Sequence, residues 1–204
     1  MKKLFLFDFD GVLVDSLSLY EKSVNICLER IGKPLIVSRE EFLDLFEDNF
    51  YSAIAKRGVD VGEFMAASKA VTPALDYGVV RPVTELIPVL AELKKRHGLI
   101  IISSNSSFAI RLMLAKFGFE SYFDDVLGAD FNFSKIEKIL YAMGHYGTNG
   151  GHTVYVCDTA GDIREAREAG VKAVAVTWGW HPRERLERAK PDAFIEKPED
   201  LLRL

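Results

Sequence analysis

The sequence predicts an α/β fold, a doubly wound parallel sheet with a small helical cap inserted after its first strand. Short apolar runs recur along the chain without the alternation of a half-exposed strand, which indicates strands buried on both faces, as in parallel sheets. Amphipathic helical patterns separate these runs by short links. The alternation fails only between residues 16 and 78, where the chain offers helical patterns alone.

Six strands are predicted for the sheet. They cover residues 4–7, 99–102, 126–127, 154–156, 173–176 and 193–195. Residues 1–15 and 79–204 are therefore assigned to the α/β core, and residues 16–78 form the helical insert. Four helical patterns are present in the insert, at residues 19–31, 38–47, 50–57 and 61–75.

Four helices are predicted between the later strands, each from a capping residue and an apolar face. Their signals, in chain order, are Thr84 with apolar positions from 86 to 93, Ser106 or Ser107 with a stop at Gly118, Ser134, and residues 160–169. Gly98 is placed to end the first of them. Phe108 and Leu112 are expected on the apolar face of the second.

Length and composition limit the class of protein. The chain has 204 residues, of which 49% are hydrophobic, so it can form a packed core and is not disordered. The balance of 26 basic to 30 acidic residues argues against nucleic acid or an anionic membrane as partner. Two cysteines and no apolar run near about 18 residues favour a cytoplasmic protein without a membrane span. The absence of Gln and the presence of only five Asn lean toward a thermophilic source.

Polar residues follow the first two predicted strands. Asp8 and Asp10 come after the first strand, where Gly11 permits a tight turn. Two carboxylates in one crevice repel each other unless a cation lies between them or one is protonated. Ser104 and Asn105 come after the second strand, where a hydroxyl and backbone amides at a helix N-terminus can bind phosphate. Singly, each motif is also compatible with an acidic turn or a simple helix cap.

A lysine and a second acidic pair complete the set. Lys135 lies at the start of the third helix, where most lysines are simply solvated. Asp158 ends the strand at 154–156, and Asp162 falls in the first turn of the next helix, so both can face one metal ion. Carboxylate oxygens are ligands that suit magnesium. The four histidines show no metal-ligand spacing and are expected at the surface.

The order of these residues resembles the haloacid dehalogenase (HAD) superfamily, in the branch of phosphoglycolate phosphatase and beta-phosphoglucomutase. Residues 8–16 are similar to its opening motif and cap hinge, and residues 154–179 to its fourth motif. The resemblance covers nearly the whole chain and implies a Rossmann-like core with the insert as cap. Two positions depart from the family pattern, since Cys157 replaces a usual Gly and Ile136 a usual Pro. The second departure leaves Lys138 as the nearest substitute for Lys135 as the motif lysine.

The resemblance implies a magnesium-dependent phosphatase that acts on a small phosphate monoester. Asp8 would be the nucleophile and form an aspartyl-phosphate, and Asp10 would act as general acid and then base. Magnesium would bind the carboxylates of Asp8 and Asp158 and the carbonyl of Asp10, with Asp162 in support.

Further implied roles concern the phosphate and the leaving group. The phosphoryl oxygens would be held by Ser104, by the amides of Asp10 and Asn105, and by Lys135. Recognition of the leaving group would lie at about residues 46–57 of the insert. The candidates there are Asn49, Tyr51, Lys56 and Arg57, and Arg57 could pair with a carboxylate such as that of phosphoglycolate.

Three alternatives accompany this hypothesis. A dehalogenase would use the same nucleophile, but a departing halide needs no acid, so Asp10 disfavours it. A phosphomutase shares every motif and stays open. A non-catalytic module of the receiver type is disfavoured because such domains lack a helical insert after the first strand, and Asp10 also argues against an inactive HAD scaffold.

Overall fold

The computed structural model describes residues 2–204; Met1, which the predicted core includes, lies outside them. The strands, in chain order, are β1 Leu4–Phe7, β2 Val14–Asp15, β3 Arg81–Pro82, β4 Gly98–Ile102, β5 Asp125–Leu127, β6 Thr153–Cys157, β7 Lys172–Val176 and β8 Ala193–Ile195. The α-helices are α1 Leu17–Arg30, α2 Arg39–Asp44, α3 Phe50–Lys56, α4 Val61–Val71, α5 Leu86–Lys94, α6 Ser107–Phe117, α7 Lys135–His145, α8 Ala160–Glu168 and α9 Arg183–Ala189.

Short 3₁₀ helices fill several of the links. They are Leu45–Glu47, Thr72–Ala74, Tyr77–Val79, Glu120–Tyr122, Gly150–His152 and Pro198–Arg203. None of the helices within residues 2–204 is long and apolar enough to span a membrane.

Six strands form one parallel sheet in the order β5-β4-β1-β6-β7-β8. Counted along the chain without β2 and β3, this order is 3-2-1-4-5-6, that of the Rossmann fold. β1 is central, and its Phe7 lies opposite Ile101 of β4 and Val156 of β6. Since parallel strands end at the same edge of a sheet, the residues that follow β1, β4 and β6 become neighbours.

Helices cover both faces of this sheet. Phe5 and Phe7 of β1 pack into an apolar cluster with α5 and α6, whereas Leu4 and Leu6 pack into a second cluster with α7, α8 and α9. All four side chains of β1 are buried, which explains why its sequence is a continuous apolar run. The predicted doubly wound α/β fold is therefore confirmed.

The helical insert leaves and re-enters the core at one place. Val14 pairs with Pro82 and Asp15 with Arg81, so that β2 and β3 form a short antiparallel ladder below the insert. Helices α1–α4 have an apolar cluster of their own, which Ala129 and Trp180 of the core join. The sequence did not predict β2 or β3 because two residues show no periodicity. The boundaries at residues 16 and 78 stay a prediction.

Two helices differ in detail from the sequence-based expectation. In α6 the buried face is formed by Ile110, Met113 and Leu114, while Phe108 and Leu112 are exposed. Both sets have helical spacing, so the pattern alone could not choose the face that meets the sheet. α5 begins after Glu85 without a side-chain cap, so Thr84 is not its N-cap, and Gly98 opens β4 instead of ending the helix.

The N-cap residues predicted for α6 and α7 are confirmed. Ser106 accepts a hydrogen bond from the backbone N–H of Ala109, and Ser134 accepts one from that of Glu137. α6 ends at Gly118, whose φ of 75° lies in the left-handed region.

Two glycines should respond in opposite ways to alanine. Gly118→Ala should lower the free energy of unfolding by about 1 kcal/mol, because a side chain at positive φ is strained although no atom lies within 4 Å of the added carbon. Gly144→Ala, inside α7 and equally open, should raise it by about 0.5–1 kcal/mol. Urea denaturation of both variants tests this pair, and changes of the same sign would contradict it.

Candidate active site

Asp8 and Asp10 lie at the carboxyl end of the central strand. The backbone N–H of Asp8 donates to the carbonyl of Val156 at 2.9 Å, which extends the pairing of β1 with β6 by one residue. The carboxylate of Asp10 accepts hydrogen bonds from the Ser16 hydroxyl at 2.5 Å and the Asn105 side-chain amide at 3.1 Å. Burial raises the pKa of both aspartates, most strongly that of Asp8. Asp10 is therefore held in one orientation.

Lys135 connects the two acidic motifs. Its ammonium donates to Asp8 Oδ2 at 2.6 Å and to Asp162 Oδ1 at 2.5 Å, and the side chain is nearly completely buried. Burial alone would lower the pKa of Lys135, but the carboxylates of Asp162 and Asp8 outweigh it and raise that pKa well above its usual value. Its backbone N–H donates to Glu165 Oε1, which fixes the start of α7 against α8. Ile136 stands where the family pattern has proline, and Lys135 nevertheless contacts Asp8.

Lys138 has a separate partner. Its ammonium donates to the backbone carbonyl of Ser103 at 2.6 Å, and the side chain is completely buried. Burial, and secondarily the charge of Lys135, lowers the pKa of Lys138 to about 7. Of the two lysines, Lys135 therefore contacts Asp8, while Lys138 holds the loop after β4.

The carboxylate of Asp158 is closely surrounded by Gly11, Gly179 and Trp180. Its Oδ2 accepts the backbone N–H of Trp180 at 2.7 Å. A β-carbon at Gly11, where φ is 78°, would lie 1.9 Å from that oxygen, and one at Gly179 would lie 2.1 Å from the Asp158 β-carbon. Both positions therefore require glycine. The neighbouring Cys157 is buried in the apolar cluster below, and burial raises the pKa of its thiol, so it is not a reactive thiolate.

Three carboxylates form a cluster that fits a divalent cation. Asp8, Asp158 and Asp162 each offer one oxygen, and these oxygens lie within 4.8 Å of one another. Within the described chain, the buried Oδ1 of Asp158 has no hydrogen-bond partner. Burial, and next the charge of Asp162, raises the pKa of Asp158 to about 8. Excess carboxylates and an unsatisfied oxygen indicate a missing positive charge, and all-oxygen donors suit a hard cation.

The loop after β4 completes a pocket of about 250 Å³, open mouth included. Asp8, Asp10, Ser104 and Lys135 line it together with Asp158. Asn105, predicted to bind phosphate through its amide, does not line this pocket. Its backbone N–H donates to the Ser103 hydroxyl at 3.0 Å.

Several contacts of the site had no sequence signal. The hydroxyls of Tyr51 and Tyr20 donate to the carbonyl of Ser104 at 2.7 and 3.4 Å, so the helical insert contacts the loop after β4 directly. Tyr20 was not predicted as a site residue, because it lies far along the chain from this loop. Ser16 ends the segment that resembles the family's opening motif, but it was given no role in the site.

The insert residues considered for recognition separate into two groups. Tyr51 lies at the site, whereas the Asn49 side chain donates to the carbonyl of Phe133 and to Glu165. Lys56 pairs with Asp48, and both Lys56 and Arg57 are exposed. Arg57 is therefore not placed to pair with a carboxylate in the site.

Contacts from α8 and α9 hold the other side of the insert. His181, expected at the surface, is buried; its Nδ1 accepts the N–H of Ala160, and its Nε2 donates to the carbonyl of Leu43 at 3.0 Å. The expectation was wrong because an isolated histidine gives no periodic signal of burial. Arg185 pairs with Asp44 at 2.8 Å, and Arg164 pairs with Glu47 at 3.0 Å.

Comparison with known proteins gives the family. A model described as haloacid dehalogenase-like hydrolase matches residues 5–176. The chain belongs to this family. Phosphoglycolate phosphatase from Synechococcus elongatus is 32% identical, over 97% of this chain and 94% of that protein. Pyrophosphatase PpaX from Bacillus velezensis is 24% identical, over 98% and 94%.

A solved structure agrees with the fold of this HAD-family chain. The crystal structure of a predicted phosphatase from Clostridium acetobutylicum superposes with a TM-score of 0.83 over all of both chains, at 19% identity. At that identity the likeness concerns the fold alone. Family membership and the curated relatives make the chain a HAD-like phosphoric monoester hydrolase, as the sequence predicts.

Metal-free protein should lose stability as pH rises. The pKa of Asp158 is about 8 in the folded protein but about 3.9 in an unfolded chain, so between these values the folded state binds more protons. With a chelator present, the free energy of unfolding should therefore fall from about pH 4 to about pH 8. Asp158→Asn should show a shallower fall, measured by urea denaturation along a pH series. Equal slopes for the two proteins would contradict the assignment.

Proposed function

We propose that this protein is a magnesium-dependent phosphatase that hydrolyses a small phosphate monoester through an aspartyl-phosphate on Asp8. The observation that carries the proposal is the pairing of two differently held aspartates in one buried pocket. Asp8 contacts the ammonium of Lys135, whereas the carboxylate of Asp10 accepts hydrogen bonds from neutral donors, Ser16 and Asn105. This difference suits one anionic nucleophile and one proton carrier.

The first step assigns bond formation to Asp8. One of its carboxylate oxygens attacks phosphorus, the new P–O bond forms, and the bond from phosphorus to the leaving oxygen breaks. Lys135 and the backbone N–H of Phe9, which donates to Asp8 Oδ1 at 2.7 Å, orient the nucleophile. The Ser104 hydroxyl in the same pocket is available to hold a phosphoryl oxygen.

Asp10 carries the proton in both steps. Burial raises the pKa of Asp10 and, more strongly, that of Asp8, so Asp10 carries the proton when Lys135 and the cation hold Asp8 as an anion. Asp10 gives that proton to the departing alkoxide and then takes one from the water that attacks the aspartyl-phosphate. Phosphate leaves, and the carboxylate of Asp8 is restored.

Four aspartates of the site would hold the metal. Asp8 and Asp158 would supply carboxylate oxygens and Asp10 its backbone carbonyl, with Asp162 in support. Bound there, Mg²⁺ would neutralise the charge that otherwise keeps an anionic phosphate away from an anionic nucleophile. The unsatisfied oxygen of Asp158 supports this assignment.

Turnover should depend on a divalent cation. Hydrolysis of p-nitrophenyl phosphate should stop in excess EDTA and return with Mg²⁺, because Asp8 and Asp158 lack a neutralising ion without it. Calcium should inhibit, since it tolerates looser coordination than in-line attack allows. Undiminished turnover in EDTA would refute the metal assignment.

Asp10→Asn should discriminate between leaving groups. The substitution keeps the backbone carbonyl and removes the proton donor, so it should slow phosphoenzyme formation from an alkyl phosphate by about 10²–10⁴-fold. With p-nitrophenyl phosphate the loss should be much smaller, because that leaving group is stable as an anion. Single-turnover measurement of phosphoenzyme tests this, with Asp8→Asn as the control that forms none. Equal losses for both esters would exclude Asp10 as the acid.

A further inference from the structure

A second cavity adjoins the pocket that contains Asp8. It extends between the loop after β4 and helices α1 and α4 of the helical insert, and it shares Asp10, Tyr20 and Ser104 with that pocket. Asp8 does not line it. If Asp8 attacks phosphorus and Asp10 protonates the departing oxygen, the alcohol part of the ester must lie on the Asp10 side. This leaving-group cavity, an assignment that rests on the proposed function, therefore decides which alcohols fit.

The ionisable residues in the wall of the leaving-group cavity are all of one sign. Among the residues of the described chain that line it, Asp10 alone is ionisable to an anion at neutral pH, and no lysine, arginine or histidine is present. A carboxylate on the leaving group would lie in this cavity without a cation to pair it, and removing a carboxylate from water is costly unless a partner compensates it. Lys69 of α4 is exposed and lines an adjoining groove, which shares Met65 and Ser68 with the cavity, but it does not line the cavity itself. Arg57 is exposed and outside the wall.

Among the hydrogen-bonding groups of the wall, which include serines able to donate or accept, two tyrosine hydroxyls favour the same class of ligand. The hydroxyls of Tyr51 and Tyr77 donate their protons to the carbonyls of Ser104 and Thr72, at 2.7 and 3.0 Å. A hydroxyl has one proton, so these oxygens remain as acceptors. A carboxylate offers acceptors only and gains nothing from them, whereas an alcohol O–H can donate to them.

The size of the cavity limits the leaving group further. The cavity measures about 570 Å³ with its open mouth, but its walls approach so closely that the centre of a water molecule can reach only about 40 Å³. At 10–15 Å³ per water-sized group, this is room for roughly three such groups. Apolar side chains such as Met65 and Leu75 line the wall together with residues that carry hydroxyls. A carbon skeleton of two or three atoms fits this space.

We infer that the substrate is the phosphate monoester of a small, uncharged, hydroxyl-bearing alcohol, and not of a hydroxy acid. A curated relative that is 32% identical is named for phosphoglycolate, whose leaving group carries a carboxylate. In this chain the leaving-group cavity provides no cation for that carboxylate. The specificity of this protein therefore differs from what that name suggests.

Two matched pairs of esters test the inference on the full chain with magnesium. They are 2-hydroxyethyl phosphate against phosphoglycolate, and glycerol 3-phosphate against 3-phosphoglycerate. In each pair the acid replaces a CH₂OH group by a carboxylate on the same skeleton. We expect kcat/KM to be at least about tenfold higher for each alcohol ester. Equal or higher values of kcat/KM for the acids would overturn the inference. Failure to hydrolyse both alcohol esters would also overturn it. p-Nitrophenyl phosphate separates the two hypotheses, because the proposed function fails only if this ester, too, is not hydrolysed.

A cation placed in the cavity should reverse the preference. Met65→Lys should shift the ratio of kcat/KM for phosphoglycolate over 2-hydroxyethyl phosphate upward by about tenfold. The matched neutral variant Met65→Gln should leave this ratio unchanged, as should Lys69→Met outside the cavity. Ser68→Lys with Ser68→Gln provides a second pair at another wall position, should Met65→Lys not fold. An unchanged ratio in a folded lysine variant would mean that the leaving group lies elsewhere and would overturn the inference.

Discussion

Four buried aspartates crowded at one edge of the sheet form the constraint on which the rest of the structure depends. They are Asp8, Asp10, Asp158 and Asp162. Removing a carboxylate from water costs several kcal/mol unless a partner compensates it. The ammonium of Lys135 compensates two of them, Ser16 and Asn105 hydrogen-bond a third, and the N–H of Trp180 hydrogen-bonds the fourth. Loops from five separate parts of the chain are thus positioned by the need to satisfy these groups.

The same constraint fixes where the helical insert can lie. Tyr51 of the insert is hydrogen-bonded to the loop that carries Ser104, and Leu43 is hydrogen-bonded to His181, whose ring also contacts the start of α8. α8 carries Asp162 in its first turn. The insert is therefore in contact with the loop after β4 and, through His181, with the start of the helix that carries Asp162. Any displacement of the insert changes the surroundings of both.

The fold and the acidic motifs were predictable for a simple reason. Strands buried on both faces are continuous apolar runs, and parallel strands bring the residues at their carboxyl ends to a common edge, so Asp8, Ser104 and Asp158 could be predicted to meet. In the sequence, only the family resemblance favours Lys135 over Lys138, and Ile136, which departs from the family pattern, weakens that choice. The two residues are one turn apart on α7, and only their partners distinguish them, Asp8 for one and the Ser103 carbonyl for the other.

Other features were beyond sequence because they depend on distant contacts. Phe108 is apolar yet exposed, since the crossing of α6 over the sheet selects another face of that helix. The hydrogen bond from Ser16 to Asp10 depends on the fold of the turn between them, and no residue pattern predicts it. Arg57 resembles a recognition residue in sequence, but α3 turns it to solvent. Charge in a binding cavity is thus a property of the assembled molecule and not of a motif.

The central place of β1 also has a consequence for synthesis. This strand leaves the ribosome about 150 residues before one of its two neighbours, β6, which begins at residue 153. At about 5–20 residues per second, the nascent chain carries an apolar strand with an unpaired edge for roughly 7–30 s. Exposed strand edges favour association with other chains. In a growing cell, the interval before β6 emerges is therefore one in which the nascent chain is open to association with other chains.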